Sequence, residues 1–334
     1  MAYKKMKQLT FTLYILLTVI FSSVEAKAQT VTNQSNDLLS QLQDVEDLQE
    51  WMNENLLADL FDSTNPISMM IFTENSVLSF NPDSIVVSMF NPREIGTTRN
   101  GKLYHLTDER NPNFMMMVMG APYEQGAYEK PWYYTRPWVF CSDYNMANKM
   151  VPNLKGVNDW YTMLLHECTH VWQQRHPEFL SAISNFAQLY GGPEAVGNLH
   201  KQDSTLYANL KAENEAILEA INALDPVKEQ EAITLFLKLR ENRKNQMIAN
   251  GYPAELIRFG DMQELAEGQT RWMEYNLGKH LGLYEDNDLR WGDIDKSGWF
   301  YVTGYNLYCL LLKRGFNVVD LYQGEIMPFE YYLK

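Results

Sequence analysis

LLHECTHVWQ, residues Leu164 to Gln173, sets two of the chain's six histidines four positions apart, with a glutamate directly after the first. On a helix, residues four apart lie on one face, one turn above the other. His166 and His170 can therefore each aim a ring nitrogen at one point. The flanking Leu164, Leu165, Val171 and Trp172 make the segment apolar on several sides, which predicts a buried helix. Buried polar groups need partners. Two core histidines without a metal are the plain alternative, and that alternative leaves the Glu167 between them without a task.

Zinc takes nitrogen and oxygen ligands, and a catalytic zinc keeps one of four positions for water. Glu167, next to His166, can take the proton of that water as it attacks a carbonyl. This is the mechanical sense of a His-Glu-x-x-His run. Two histidines need a third ligand. His176 stands six residues after His170, but Gln173 occupies the position where a turn would need glycine, and Pro177 follows at once. The stretch ELAEGQTRWMEY, Glu264 to Tyr275, offers more: Glu264, Glu267, Arg271 and Glu274 fall on one helical face. Gly268 would let another segment come close to Glu267.

These two stretches resemble the gluzincin metallopeptidases, in which His-Glu-x-x-His supplies two ligands and a glutamate on a downstream helix the third. HECTHVWQ and EGQTRWMEY are similar to the HExxHxxQ and EGxAxYxE pattern of several bacterial members, with Thr270 in place of the usual alanine. The resemblance implies one zinc ion held by His166, His170 and Glu267, with Glu167 as general base and Gln173 and Glu274 in supporting roles. FYVTGYNLYCLLLKRG, Phe300 to Gly315, is similar to the family's Y-x-x-G helix and implies Tyr301 as the oxyanion stabiliser, with Tyr305 nearly as good. The family's substrate-pairing strand would correspond to PWVFCSDY, Pro137 to Tyr144. The resemblance covers roughly residues 155–315. It implies a peptide or protein substrate and a secreted zinc metallopeptidase. The alternative is an exported binding or structural protein with a vestigial or structural zinc site.

Outward from these motifs, the chain divides into two halves. From Asp159 it reads helical, with segments at 159–175, 177–190, 194–224, 226–250, 253–282 and 298–314. Pro177, Pro193, Pro226 and Pro253 stand where helices begin. Between Ile67 and Tyr144, short apolar runs (SIVVSMF, GKLYHL, FMMMVMG, PWVFCSDY) alternate with turn signals, among them Asn100-Gly101 and three Asn-Pro pairs. This predicts a mixed sheet of four or five strands. A helix from Leu38 to about Phe61 precedes it. The expected fold is α+β: an N-terminal helix and sheet lobe over residues 29–150, a mainly helical zincin-like lobe over 151–334, and an active-site cleft between them. For the three ligands to meet, helix 159–175 must pack against helix 253–282, with 194–224 and 226–250 as an antiparallel excursion.

The chain's start, MAYKKMKQLTFTLYILLTVIFSSVEAKAQT, has the basic, apolar and small-residue order of a signal peptide, with cleavage expected after Ala28. Its four lysines and one glutamate carry a net +3, so removal moves the formal charge from −14 to −17. That acidity disfavours nucleic acid and anionic membranes as partners. The expected location is secreted or periplasmic, with no membrane insertion after cleavage. Three widely spaced cysteines form no disulfide framework, and Cys168 is expected to be a small buried apolar residue.

Overall fold

The computed structural model describes residues 37–58, 60–62, 66–82, 87, 91–108, 117–119, 138–151, 154–190, 192–201, 203–284, 294 and 298–334. The start of the chain and most of the SIVVSMF run lie outside these. The one described residue of that run, Val87, is helical and not in a strand.

A first helix, α1, runs over residues 37–55 and ends earlier than its apolar spacing suggested. Asn53 stops it by folding back on Phe61: its amide donates to the Phe61 carbonyl, and the Phe61 N–H donates to its side-chain oxygen. Six strands follow: β1 (Met69–Phe72), β2 (Val77–Phe80), β3 (Arg93–Thr97), β4 (Lys102–Thr107), β5 (Met117–Met119) and β6 (Trp138–Ser142). They form one mixed sheet in the order β3-β4-β2-β1-β6-β5. All pairs are antiparallel except β1 with β6. GKLYHL and PWVFCSDY hold β4 and β6, as expected. Asn100-Gly101 does turn the β3–β4 hairpin, closed by the Thr98 N–H on the Gly101 carbonyl. Asn81 and Asn91 take φ of 49° and 43°, the left-handed region that asparagine tolerates. MMIF and REIGT are strands without an expectation from the sequence. MMIF is buried throughout, so it shows no alternation to read.

The helices are α2 (Tyr144–Met150), α3 (Val157–Gln174), α4 (Pro177–Tyr190), α5 (Glu194–Gly197), α6 (Ser204–Asn222), α7 (Pro226–Ala249), α8 (Ala254–His280), α9 (Trp299–Lys313) and α10 (Phe329–Tyr332), with 3-10 turns at Asn198–His200 and Val318–Tyr322. The expected 194–224 helix is broken because Asp203 caps a new start, accepting from the N–H groups of Thr205 and Leu206. Asp225 caps α7 in the same way and turns the chain into an antiparallel α6–α7 pair.

The core is continuous between the sheet and the helices. Met69 and Ile71 of β1 and Val139 and Cys141 of β6 point to one face, where they join Leu42, Val45 and Met52 of α1 and Trp160, Leu164, Leu165 and Cys168 of α3. Trp160 also donates its indole N–H to the Ser142 carbonyl. Thus α3 lies on the sheet through one side. Through the other it packs on α8, and α8 packs on α9. The expected meeting of the two motif helices is present.

The strand expected to pair with substrate, β6, does not lie at the sheet edge, because β1 and β5 pair with it on either side. The strand at that end of the sheet is β5, which also touches α3. Among the described residues no helix is long and apolar enough to cross a membrane.

Candidate metal centre

The buried face of α3 is nearly continuous: Trp160, Leu164, Leu165, Cys168, Val171 and Trp172 are all in the core. This fixes the helix against rotation and sends His166 and His170 towards α8. Their rings stand edge to face with centroids 4.9 Å apart. Glu267 of α8 meets both: its Oε2 is 3.4 Å from His166 Nε2 and 3.5 Å from His170 Nε2. These are ion-pair distances, and that oxygen is buried without a hydrogen bond of its own. One ligand atom from each of the three residues lies within 4.8 Å of the others.

Bonds of about 2.0–2.1 Å in a tetrahedral arrangement separate ligand atoms by roughly 3.3 Å. Two of the three separations here match that value. The orphaned carboxylate oxygen, facing two ring nitrogens across a gap of this size, fits a metal ion. The three residues could hold one ion and leave a fourth position open.

The other nitrogen of each ring is tied. His166 Nδ1 lies 2.9 Å from Glu274 Oε2, and His170 Nδ1 lies 2.9 Å from Gln173 Oε1. Acceptors at Nδ1 favour the tautomer that carries its proton there, the one that could offer Nε2 to a metal ion. Gln173 is itself held by its amide group, which donates to the Ala266 carbonyl, to Gln269 and to the Tyr322 hydroxyl. It is a strut from α3 to the backbone just before Glu267.

Electrostatics follow from these contacts. Burial works against charge on Glu267, but His170 and His166 outweigh it and hold the carboxyl well below the usual carboxylate range. Burial also opposes charge on His166. The carboxylates of Glu267 and Glu274 override it and push its pKa up to about 10.

A cavity of about 710 Å³ opens beside His166. Glu167 lines it, as do Arg271, Glu274, Tyr284 and Tyr301, while Ala147, Met150, Val151, Leu154 and Met163 make an apolar wall. Tyr301 stands in the first turn of α9 with the Arg271 guanidinium 4.7 Å from its ring centre. Burial pushes its phenol up, so it remains a neutral hydrogen-bond donor. Tyr305 is buried against the edge of Tyr275 and does not line the cavity.

Gly268 explains how α9 reaches this place. A Cβ on Gly268 would lie 2.4 Å from the Gly304 backbone, and one on Gly304 would lie 2.3 Å from the Glu264 carbonyl. Two facing glycines let the helices cross backbone to backbone, which brings Tyr301 to the cavity that Glu167 lines.

The remaining candidates fall elsewhere. Glu264 is one turn before Glu267 but faces away from the histidines, in a fork with Arg240 at 2.6 Å and 2.7 Å. His176 packs against Trp172 and Tyr322 and stands outside the triad. The three cysteines form no disulfide, and burial pushes the Cys168 thiol far up, which makes it inert. Tyr322 had no signal in the sequence. Its hydroxyl accepts from Gln173 and donates to the Leu265 carbonyl, a contact that a distant C-terminal turn supplies. Comparison of the chain with protein-family models, with curated proteins and with solved structures finds no significant match.

Proposed function

We propose that this chain is an exported zinc-dependent metallopeptidase of gluzincin type, with His166, His170 and Glu267 as the ligands of one zinc ion. The observation that carries the reading is the convergence of two Nε2 atoms and the orphaned Glu267 oxygen beside a cavity that Glu167 and Tyr301 also line. Two imidazoles and a carboxylate suit zinc, and an open fourth position suits catalysis. When bound, the ion supplies a Lewis acid for the carbonyl and lowers the pKa of a water molecule.

The protein's own residues would do the rest. Glu167 takes the proton of the attacking water and hands it to the leaving amine nitrogen. The Tyr301 phenol donates to the carbonyl oxygen as negative charge builds there. Glu274 and Gln173 keep both imidazoles in the ligating tautomer. The apolar wall from Met150 to Met163 receives substrate side chains. The β5 edge offers backbone groups to an extended peptide, a role the sequence had suggested for β6. In this reading the cleft lies between sheet and helices. Export rests on the basic and apolar start of the chain, and the chain's net negative charge disfavours nucleic acid as a substrate.

The test is a peptide-library digest with the purified mature protein, zinc loaded, against Glu167→Gln. Cleavage that falls by roughly 10²–10⁴-fold in the variant, with zinc content retained, is the expected result. A zinc-loaded protein that cleaves nothing would leave the alternative: an exported binding or structural protein with an inert zinc site.

A further inference from the structure

Outside the metal centre, the helical lobe contains a second polar cluster that does not reach the cavity. Arg240 and Arg243 of α7 are almost fully buried, as are Glu213 of α6 and Glu264 of α8. Burying a charge is costly unless it is paired. Here each carboxylate is shared. Arg240 donates from Nε to Glu213 at 3.1 Å, and from its two terminal nitrogens to the two oxygens of Glu264 at 2.6 Å and 2.7 Å. Glu264 Oε1 accepts a third bond from Thr303 Oγ1 at 2.6 Å.

The node joins four helices, α6 through Glu213, α7 through Arg240, α8 through Glu264 and α9 through Thr303. Glu264 is one helical turn before Glu267. Thr303 is two residues after Tyr301 and adjacent to Gly304, which rests on the Glu264 carbonyl. A planar fork is satisfied by one orientation only, so the bonds to Glu264 fix both the rotation of α8 and the seat of α9. We infer that Glu264, gripped by Arg240, is a positioning residue for the metal centre: it sets where Glu267 presents its carboxylate and where Tyr301 enters the cavity. This inference rests on the metallopeptidase reading of the triad. It explains why the lobe keeps an ion pair where apolar side chains would pack as well. Such a pair contributes little net stability but specifies one geometry.

Arg243 supplies the control. It is as buried as Arg240, but its guanidinium donates to Glu213 at 2.5 Å and 2.9 Å and to His200 at 3.2 Å and lies over the Trp299 ring, and none of these partners is on α8. A merely structural role for buried arginines would make the two equivalent.

The experiment is a chelator-competition titration of zinc on the full mature chain, run below the melting temperature of each variant. Arg240→Met/Glu264→Met replaces the pair with apolar groups and should fold, but bind zinc about tenfold or more weakly, as losses beyond the ligand shell do. Arg243→Met should stay within about threefold of wild type by the same measure. An unchanged zinc Kd in the double variant, or an equal loss in Arg243→Met, would overturn the inference. If the double variant does not fold, Thr303→Val decides, since it keeps the ion pair and the side-chain shape. A several-fold loss of zinc affinity or of kcat is then expected, and no change in either would overturn the inference. A wild-type chain that takes up no zinc is a separate result, which sinks the metallopeptidase reading itself.

Discussion

Glu267 Oε2 and His166 Nε2 lie 3.4 Å apart on two packed helices, with about a hundred residues of chain between them. The oxygen has no hydrogen bond, and the other nitrogen of the same ring, Nδ1, faces Glu274 at 2.9 Å. The consequences of that geometry can be measured.

The first concerns which glutamate is the ligand. Glu267→Ala should abolish zinc binding and leave the fold intact, because it removes a carboxylate whose ion pairs are with His166 and His170. Glu264→Ala should do the reverse in emphasis. It strands Arg240 in the interior and costs on the order of 3–5 kcal/mol of stability, while zinc binding is weakened and not lost. Elemental analysis together with thermal melts separates the two. Zinc retained in Glu267→Ala would refute the ligand assignment. In the wild type one equivalent is expected, and less than a tenth after zinc is supplied would refute the site.

A second prediction concerns the glycine crossing. In an exposed helix, Gly→Ala gains about 1 kcal/mol from propensity. At Gly268 the sign should invert, since the new methyl meets the Gly304 backbone at 2.4 Å and cannot rotate away. Overpacking costs typically 1–3 kcal/mol, so Gly268→Ala should lower the melting temperature and reduce turnover by displacing Tyr301. A more stable variant would show that α8 and α9 are not in backbone contact.

Tyr301 and Tyr305 give a third. Tyr301→Phe should reduce kcat by roughly 10²-fold with KM little changed, as removal of an oxyanion donor does. Tyr305→Phe should leave kcat near wild type, because that side chain is buried away from the cavity. Steady-state kinetics on any cleaved peptide is sufficient, and equal effects would remove the assignment.

The last is a pH effect at His200. Burial lowers its pKa from 6.5 to about 3, helped by Arg243 and Arg240. The folded-state value lies below the unfolded one, so the stability it represents is complete above pH 6.5 and is lost as pH falls towards 3. Each pH unit in that window is worth about 1.4 kcal/mol. Between pH 7.5 and 5 the wild type should lose roughly 2 kcal/mol more than His200→Gln. Denaturant melts at the two pH values measure this, and parallel losses would show that His200 does not stay neutral when folded.

What was legible in the sequence was local. The i, i+4 histidines, the prolines at helix starts, Asn100-Gly101 and the Asp225-Pro226 turn each act through neighbours a few residues away. The residues themselves therefore set the helices of the back half and the β3–β4 turn. Glu267 was legible only through its resemblance to a known pattern, since nothing local separates it from Glu264.

Tertiary structure decided the rest. Glu264 and Glu267 differ by one turn of the same helix, and only the partners across the interface give one to Arg240 and the other to the histidines. The same holds for Tyr301 over Tyr305, which depends on Gly268 meeting Gly304, and for β5 over β6 as the edge, which depends on strand order. Strand β1, buried on both faces, shows no alternation, so its central place could not be read from MMIF. Periodicity tells which face of an element is buried. Which element covers that face is set by packing between segments far apart in the chain, where shape and charge must match across an interface that no local pattern encodes.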